Sequence, residues 1–479
     1  MLFNSFQFLI FFPLVTIIYF LLPHKLRWFH LLLSSCVFYA AFIPVYILIL
    51  FFTILIDYFA GIAIENSQGS RRKLFLTTSI IANVGVLAVF KYYNFFTNNI
   101  NELLNQLHIT AHGLPLLNMI LPIGLSFHTF QAMSYTIEVY RGNQKAERHL
   151  GIYALYVMFY PQLVAGPIER PQNILHQFYE KHSPDATLIE YGLRKMLWGL
   201  VMKVVIADRV AIFVNAIYNN VPENNGTMLL LASFFFAIQI YCDFAGYSYI
   251  AIGAAQVMGF DLMTNFKRPY FSTSIDMFWK RWHISLSTWF RDYLYISLGG
   301  NRVPVPRWYF NLFVVFVVSG LWHGANWTYI IWGALNGFYL IFAIVSKKWR
   351  DAFNRMTLIS KNPIIFRIIQ IVTTFCLVTF AWIFFRANTV TDAFLIVKKI
   401  FTELGPLALN SSQVLTMLYA FSGITLLFLV ELYMEYSSRE VPLLQHSSVY
   451  VKYASYAMGI VYILLFGVFD GGQFIYFQF

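Results

Sequence analysis

Charged residues are scarce in this chain. Only 11% of its 479 residues are Asp, Glu, Lys or Arg, whereas soluble globular proteins carry about 25%. Because 59% of the residues are hydrophobic, most of the surface must face something other than water, which argues against a soluble protein. The composition predicts a polytopic membrane protein, in which the many Phe, Tyr and Trp residues supply lipid-facing bulk and interfacial anchors.

Cysteines are also few. Cys36, Cys242 and Cys376 are too scattered for a disulfide framework or a thiolate metal site. The net charge of +11 would suggest nucleic-acid binding in a soluble protein. Here the basic residues lie in short loops between apolar runs, which is the distribution of the positive-inside rule. We therefore predict neither a nucleic-acid partner nor a bound metal ion.

Apolar runs of the length that crosses a bilayer recur along the sequence. They predict an all-α membrane protein with about 11 transmembrane helices in a single membrane domain, residues 1–479. The runs cover residues 5–22, 28–43, 45–64, 74–95, 119–139, 192–219, 226–258, 308–330, 327–345, 364–385, 413–435 and 450–468. The first run has no basic n-region and no small-residue cleavage site, so we expect a retained span rather than a signal peptide. The run 151–171 is broken by Pro161, Gly166 and Pro167, which predicts a re-entrant or interfacial segment.

The basic loops indicate an orientation. Lys and Arg residues follow the first, third and fifth runs, at 24–27, 71–73 and 141–148, while the loop 96–118 has none. Because basic loops remain cytoplasmic, we expect the N-terminus on the outside. Lys267 and Arg268 belong to the predicted basic face, which either attracts an anionic substrate or only reflects topology.

The segment 271–302 is predicted to be one amphipathic helix. Its apolar stripe consists of Phe278, Trp282, Leu286, Trp289 and Tyr293. Its opposite face carries Lys280, His283, Ser287 and Arg291. Ser272 or Ser274 would cap its start and Gly299 its end. Such a helix either lies in the headgroup layer or lines a water-filled cavity inside the protein, and in the second case His283 faces the cavity.

A histidine also lies in the apolar stretch "SGLWHGANWTYIIWG". An imidazole such as His323 is costly there unless it is used or satisfied, although a single buried histidine is more often structural. The chain has no G-x-S-x-G, H-E-x-x-H or P-loop motif, and Ser126 and His128 are two residues apart, which on a helix keeps them from facing each other. Among catalytic roles, that of a histidine acting as a general base remains open.

The glycine pair Gly333 and Gly337 predicts close helix packing.

Several segments resemble the membrane-bound O-acyltransferase family, and its bacterial branch of alginate and peptidoglycan O-acetylation proteins most closely. They read "FWKRWHISLSTWFRDYLYISLGGNR", "GLWHGANWTYIIWG", "KYYNFF", "LPIGLSFHTFQAMSYTIEVYRG", "LVAGPIERP", "YCDFAGYSYIAIGAAQVMGFDLMTNFKRPY" and "AWIFFRA". The resemblance extends over nearly the whole chain. It implies the fold of that family, with re-entrant and interfacial helices around a central catalytic tunnel, in the bacterial inner membrane.

The resemblance also implies site residues. His323 matches the family's near-invariant catalytic histidine, and His283, 40 residues upstream, matches its second polar residue. Many alginate-type relatives have a histidine where this chain has Asn336, so the mechanism should need only two imidazoles. We predict that His323 acts as general base and that His283 positions the acceptor or polarises the acyl carbonyl. The residues predicted to bind substrates are Lys280, Arg291, Asn301, Trp322, Asn326 and Asp243.

The expected reaction moves an acetyl group from a cytoplasmic thioester across the membrane for O-acetylation of an extracytoplasmic polysaccharide. No cofactor is expected to be tightly bound, because acetyl-CoA or an acyl carrier serves as co-substrate. The expected partners are the lipid bilayer, the polysaccharide acceptor and an extracytoplasmic SGNH-type acetyltransferase. Two alternatives stay open. One is D-alanyl transfer to teichoic acid, and the other is an ion-coupled transporter or flippase that uses Asp57, Asp243, Glu431 and Asp470.

Overall fold

The computed structural model of the chain describes residues 1–109, 113–118, 122, 124–164, 166–357, 361–407, 409–437, 448–469 and 474–475. Within these ranges the regular structure is helical and there is no strand, which confirms the predicted all-α class. The chain forms two compact units. One comprises Met1–Met196 and Tyr247–Met263, and the other comprises Leu197–Gly246 and Thr264–Phe479. The single membrane domain stays a prediction.

The first unit contains the helices of the N-terminal part of the chain. They are α1 (Phe6–Leu21), α2 (His24–Ala40), α3 (Ile47–Asn66), α4 (Gly69–Leu87), α5 (Tyr93–Gln106), α6 (Leu125–Arg141), α7 (Leu150–Met158), α8 (Tyr160–Leu163), α9 (Pro171–Ile174) and most of α10 (Ala186–Leu200). Ser5 begins α1 by accepting a hydrogen bond from the Phe8 N–H, and Pro23 follows its end, as helix boundaries favour.

The second unit contains the remaining helices. They are α11 (Asp208–Tyr218), the first two thirds of α12 (Gly226–Val257), α13 (Ile275–Arg281), α14 (Ile284–Trp289), α15 (Val305–His323), α16 (Trp327–Val345), α17 (Lys347–Met356), α18 (Pro363–Arg386), α19 (Val390–Thr402), α20 (Ser411–Tyr436) and α21 (Val449–Phe466). Single π-helical turns at Val201–Ala207 and Phe290–Tyr295 continue α10 and α14.

Eight helical segments in the described ranges are long and apolar enough to cross a bilayer. They are Pro44–Asn66, Gly69–Gln106, Gly226–Val257, Val305–His323, Trp327–Val345, Pro363–Arg386, Gln413–Tyr436 and Val449–Phe466. The other predicted spans form helices that are shorter, such as α1 with 16 residues, or more charged, such as α2. The overlapping runs 308–330 and 327–345 become two helices because the chain turns at 324–326. Residues 119–121 and 123 of the fifth run lie outside the described ranges.

The segment predicted to be re-entrant is broken and buried. It contains the short helices α7 and α8, which meet at Phe159, and Pro161 lies in the first turn of α8. Tyr153, Tyr156 and Tyr160 are fully buried. Non-spanning backbone at membrane depth is tolerated only where protein covers it, and this burial meets that condition.

The helices α15 and α16 pack closely through glycines. A Cβ atom placed on Gly333 would lie 2.3 Å from the Phe316 carbonyl oxygen, and one on Gly320 would lie 2.2 Å from the Tyr329 carbonyl oxygen. These distances leave no room for a methyl group. The close packing predicted from Gly333 and Gly337 is therefore confirmed, and it fixes the end of α15, where His323 lies.

A buried ion triad joins the π-helical turn after α10 to α12. Lys203 lies 2.6 Å from Asp208 Oδ1 and 2.6 Å from Asp243 Oδ1, and all three residues are buried. In a regular α-helix, residues five apart point to different sides. The wider π turn brings Lys203 and Asp208 together. Asp243 also accepts a hydrogen bond of 2.7 Å from the Ile475 N–H.

We expect Gly333→Ala to lower the thermal unfolding midpoint of the detergent-solubilised protein. The added methyl group must push α15 and α16 apart, at a cost of about 1–3 kcal/mol. Gly85→Ala is the matched control, because a Cβ atom there meets nothing within 4 Å and alanine favours a helix. Equal midpoints for the two variants would contradict this account of the packing.

We expect Lys203→Met to destabilise the protein by about 3–5 kcal/mol, because two buried carboxylates would be left without their cation. The fraction unfolded is measured against denaturant in detergent. Lys398→Met, at a side chain that is 67% exposed, is the control and should leave stability unchanged. Adding Asp208→Asn and Asp243→Asn to Lys203→Met should recover part of the loss. A Lys203→Met protein as stable as wild type would show that the triad contributes nothing.

Candidate active site

His323 is the last residue of α15. The helix ends there because Gly324 is extended, with φ −164° and ψ 149°. Asn326 then begins α16, since its side-chain oxygen accepts a hydrogen bond of 3.0 Å from the Thr328 N–H. Only three residues separate the two helices, so the imidazole is fixed at a tight and packed turn. The side chain of His323 is buried, with 4% of the residue exposed.

Aromatic rings surround His323. The ring centroids of Trp322, Trp332 and Phe385 lie 4.9, 5.1 and 5.3 Å from the imidazole centroid. Behind them Trp382 stacks on Trp332 at 5.5 Å with an interplanar angle of 16°. Edge-to-face and stacked rings of this kind hold one another in fixed orientations, so the imidazole has little freedom to turn.

His283 lies at a break between α13 and α14. Its backbone is left-handed, with φ 42° and ψ 57°, which is uncommon for a residue other than glycine. Asn265 holds the conformation, because its carbonyl oxygen accepts from the Ile284 N–H at 2.9 Å and its Oδ1 atom accepts from Ser285 Oγ at 2.8 Å. Strained residues that the surroundings enforce are concentrated at functional sites, which supports a role for this histidine.

The break corrects the prediction of one continuous helix over 271–302. The predicted apolar stripe is buried, and Ser274 caps the start by accepting from the Met277 N–H. His283 does not share a face with Lys280 and Arg291, however. The left-handed residue turns its imidazole inward, where the residue is 1% exposed, while the other two side chains are 71% and 61% exposed. Sequence periodicity cannot reveal such a break, because it comes from the distant Asn265.

Both histidines lie close to one indole ring. The Trp322 centroid is 6.2 Å from the centroid of His283 and 4.9 Å from that of His323. Phe244 of α12 packs edge-on against His283 at 4.5 Å. Burial lowers the pKa of His283 to about 3, so this imidazole is neutral at pH 7. A neutral imidazole can accept a proton or donate a hydrogen bond.

The other predicted binding residues have polar partners or positions of their own. Lys280 pairs with Asp276 at 2.6 Å and Arg291 with Asp292 at 2.7 Å. Asn301 is exposed in the turn after Gly300, and Asn326 caps α16. Asp243 belongs to the ion triad. Asn336 is buried and donates to the Trp332 carbonyl at 2.9 Å. Only Trp322 among the predicted binding residues has a ring contact with both histidines.

A cavity of about 700 Å³ is lined by residues that are close to both histidines in the sequence, while neither imidazole is among its lining residues. Lys280, Arg291 and Lys347 supply its basic groups, and its wall includes Ile284, which follows His283, and Ser319, one turn before His323. Trp279 lines the cavity and packs on Trp332 at 5.7 Å. The cavity therefore combines an apolar wall with cationic groups, as small-molecule sites do.

Sequence reasoning missed the rings that enclose His323. Trp332 and Phe385 belong to "WTYIIWG" and "AWIFFRA", which carried the family resemblance but received no role. The signal was the aromatic content of these segments. Their common contact with His323 depends on how α16 and α18 pack against α15, and that packing is not visible in a local pattern.

Comparison with known proteins agrees with the geometry. The sequence profile described as the membrane-bound O-acyltransferase family matches residues 148–385, which include both histidines. The chain is 38% identical to the probable alginate O-acetylase AlgI of Pseudomonas aeruginosa, over 87% of this chain and 79% of that protein. It is 35% identical to the peptidoglycan O-acetyltransferase of Helicobacter pylori, over 77% of this chain and 72% of that protein.

A more distant similarity is to the teichoic acid D-alanyltransferase of Bacillus subtilis, at 28% identity over 57% of this chain and 70% of that protein. The alignments with the relatives of higher identity extend over most of the length of those proteins. The multiple apolar helices indicate a multi-pass membrane protein. The resemblance inferred from the sequence is thus confirmed, and the chain is a multi-pass membrane enzyme that belongs to the membrane-bound O-acyltransferase family.

Proposed function

We propose that this acyltransferase moves an acetyl group from a cytoplasmic thioester across the membrane for O-acetylation of an extracytoplasmic polysaccharide, such as an alginate-like exopolysaccharide or peptidoglycan. The observation that carries the proposal is the placement of His283 and His323 around Trp322, inside an aromatic enclosure. Two imidazoles in dry surroundings suit a reaction that moves one proton and stabilises one developing charge.

His323 acts as the general base in the proposed step. It takes the proton of the acceptor hydroxyl while that oxygen bonds to the acyl carbon. The carbon–sulfur bond then breaks, and His323 returns the proton to the leaving thiolate, so that the products are an ester and a free thiol. His283 is neutral at pH 7 and donates a hydrogen bond to the acyl oxygen as negative charge develops there. Neither imidazole changes its net charge over the cycle.

The donor is proposed to enter through the cavity that Lys280 and Arg291 line. Phosphate groups of acetyl-CoA or of an acyl carrier would lie near these cations and Lys347, and the thioester would reach inward past Trp279. Ser319 and Ile284 support this assignment, because both line the cavity, and Ser319 precedes His323 by one helical turn while Ile284 directly follows His283. The donor is a co-substrate, so no tightly bound cofactor is needed.

The proposed location is the bacterial inner membrane with the N-terminus outside. That orientation follows from the basic loops at 24–27, 71–73 and 141–148. An acyl group that crosses the protein would then pass to an extracytoplasmic SGNH-type acetyltransferase, which completes transfer to the polysaccharide. A central tunnel open to both faces would serve this crossing.

Acetyl transfer is favoured over D-alanyl transfer. The alginate and peptidoglycan relatives have 38% and 35% identity and extend over more of the chain than the teichoic acid relative, with 28%. The ion relay of the transporter alternative receives no support from the described carboxylates. Asp57 accepts from Ser79 and Asn83, Asp243 pairs with Lys203, and Asp470 lies outside the described ranges.

We expect His323→Ala to reduce acetyl ester in the envelope polysaccharides to the level of a deletion strain. Removal of a positioned proton acceptor costs about 10²–10⁴-fold in rate. His176→Ala, at a side chain that is 59% exposed, is the matched control, and the abundance of each protein in the membrane is measured. Wild-type ester content in a strain with normal levels of the His323→Ala protein would refute the mechanism.

We expect His283→Asn to retain more activity than His283→Ala. Asparagine tolerates a left-handed backbone and keeps a hydrogen-bond donor, whereas alanine loses the donor, at a cost of about 10²–10³-fold in kcat. Initial rates of thiol release from the thioester are measured in membrane vesicles against donor concentration. A change in KM with unchanged kcat would instead assign His283 to substrate binding. Equal rates for the two variants would remove the hydrogen-bond role.

A further inference from the structure

Three arginines of the second unit converge on one carboxylate. Arg281 donates to both Glu435 oxygens, at 3.1 and 3.0 Å, Arg268 Nε donates at 2.8 Å, and an Arg367 terminal nitrogen donates at 3.2 Å. They come from the C-terminal turn of α13, the loop before it and the first turns of α18, and Glu435 lies at the end of α20. We call these four residues the arginine cluster.

The cluster has an excess of positive charge. Its three guanidinium groups contact Glu435, and those of Arg268 and Arg281 also interact with Glu431 one helical turn earlier on α20. Glu431 accepts a hydrogen bond from Tyr241. At least one positive charge is therefore uncompensated. Glu435 is covered, with 5% of its side chain exposed, while Arg268 and Arg367 are 26% and 43% exposed. A molecule that approaches the cluster meets the cations and not the carboxylate.

One donor of the cluster is unused. Arg367 Nε is shielded from solvent and has no hydrogen-bond partner in the described part of the chain. A buried donor without an acceptor costs free energy, and an arginine presents its nitrogens in a fixed planar fork that matches phosphate oxygens. The cluster is thus suited to bind a further oxyanion, such as a phosphate group.

An apolar groove of about 460 Å³ begins beside the cluster. It is lined by Phe234, Ile238, Tyr270, Phe271, Ile371, Val372, Phe375, Ile424, Thr425, Leu427, Phe428, Leu429 and Glu431. Ile371 follows Arg367 by one turn of α18, Glu431 precedes Glu435 by one turn of α20, and Tyr270 follows Arg268 by two residues. All three elements consequently place the arginines at the same end of the groove.

We propose that the groove and the arginine cluster together bind an anionic glycerophospholipid. Its phosphate lies on Arg268 and Arg367, and an acyl chain occupies the groove between α18 and α20. The charge complementarity selects an anionic head group, and the apolar wall selects a hydrocarbon chain rather than a soluble phosphate. Arg268 lies on the predicted cytoplasmic face, where a leaflet with anionic lipids attracts basic residues. This proposal does not depend on acyl transfer.

We expect the purified protein to retain phosphatidylglycerol in preference to phosphatidylcholine when both are titrated in detergent and counted by native mass spectrometry. Arg367→Gln and Arg268→Gln should each weaken phosphatidylglycerol binding about fivefold, the usual effect of one basic residue near a charged lipid surface. Arg355→Gln on α17, an exposed arginine, is the charge-matched control and should bind like wild type.

The groove is tested separately from the charge. Ile424→Trp should fill the groove and weaken phosphatidylglycerol binding, while Leu418→Trp, on the same helix at a side chain outside the groove, should not. Unfolding midpoints show that each variant is folded. Equal retention of the two lipids, or unchanged binding by both arginine variants, would overturn the proposal. So would displacement of the lipid by inorganic phosphate alone at millimolar concentration, since the groove would then play no part.

Discussion

Several polar groups that this chain carries into apolar surroundings take their partners from the chain itself, because hydrocarbon offers none. The backbone meets this constraint by forming helices. The buried carboxylates meet it through local donors: Ser79 and Asn83 bond to Asp57, Lys203 pairs with Asp243, and Tyr241 donates to Glu431. Each of these carboxylates therefore has a structural role, in which it connects nearby elements of the fold.

The two candidate catalytic histidines are surrounded differently. The neighbouring side chains that pack on His283 and His323 are aromatic rings, among them Phe244, Trp322 and Trp332. A ring excludes water without fixing a charge, and burial keeps the His283 imidazole neutral at pH 7 by lowering its pKa. A carboxylate in the same place would hold the imidazole protonated, and a protonated imidazole cannot act as a base. The aromatic enclosure therefore favours proton transfer in a way that an ion pair would not.

Much of the fold was predictable because helices that cross a bilayer require long apolar runs, which are visible in the sequence. Apolar runs gave the spans, and Gly333 with Gly337 predicted a close helix contact that the Phe316 carbonyl distance confirms. Ser274, one of the two residues predicted to cap the start of the segment 271–302, does so. The predictions failed where distant residues decide a local conformation. Asn265 breaks the helix at His283, and Lys203 in its π turn pairs with Asp243 of another helix. Neither partner lies within a few residues of the side chain it contacts.

The family resemblance identified the two histidines, but only tertiary structure explains their common surroundings. Asp243 and Phe244 are adjacent on α12. Asp243 is held by Lys203 on one side and by the Ile475 N–H on the other, and Phe244 packs on both Phe474 and His283, at 5.8 and 4.5 Å. The ion triad and the C-terminal residues thus fix the ring that supports His283. Asp243 is the chain neighbour of this ring, and its predicted role in substrate binding stays a prediction.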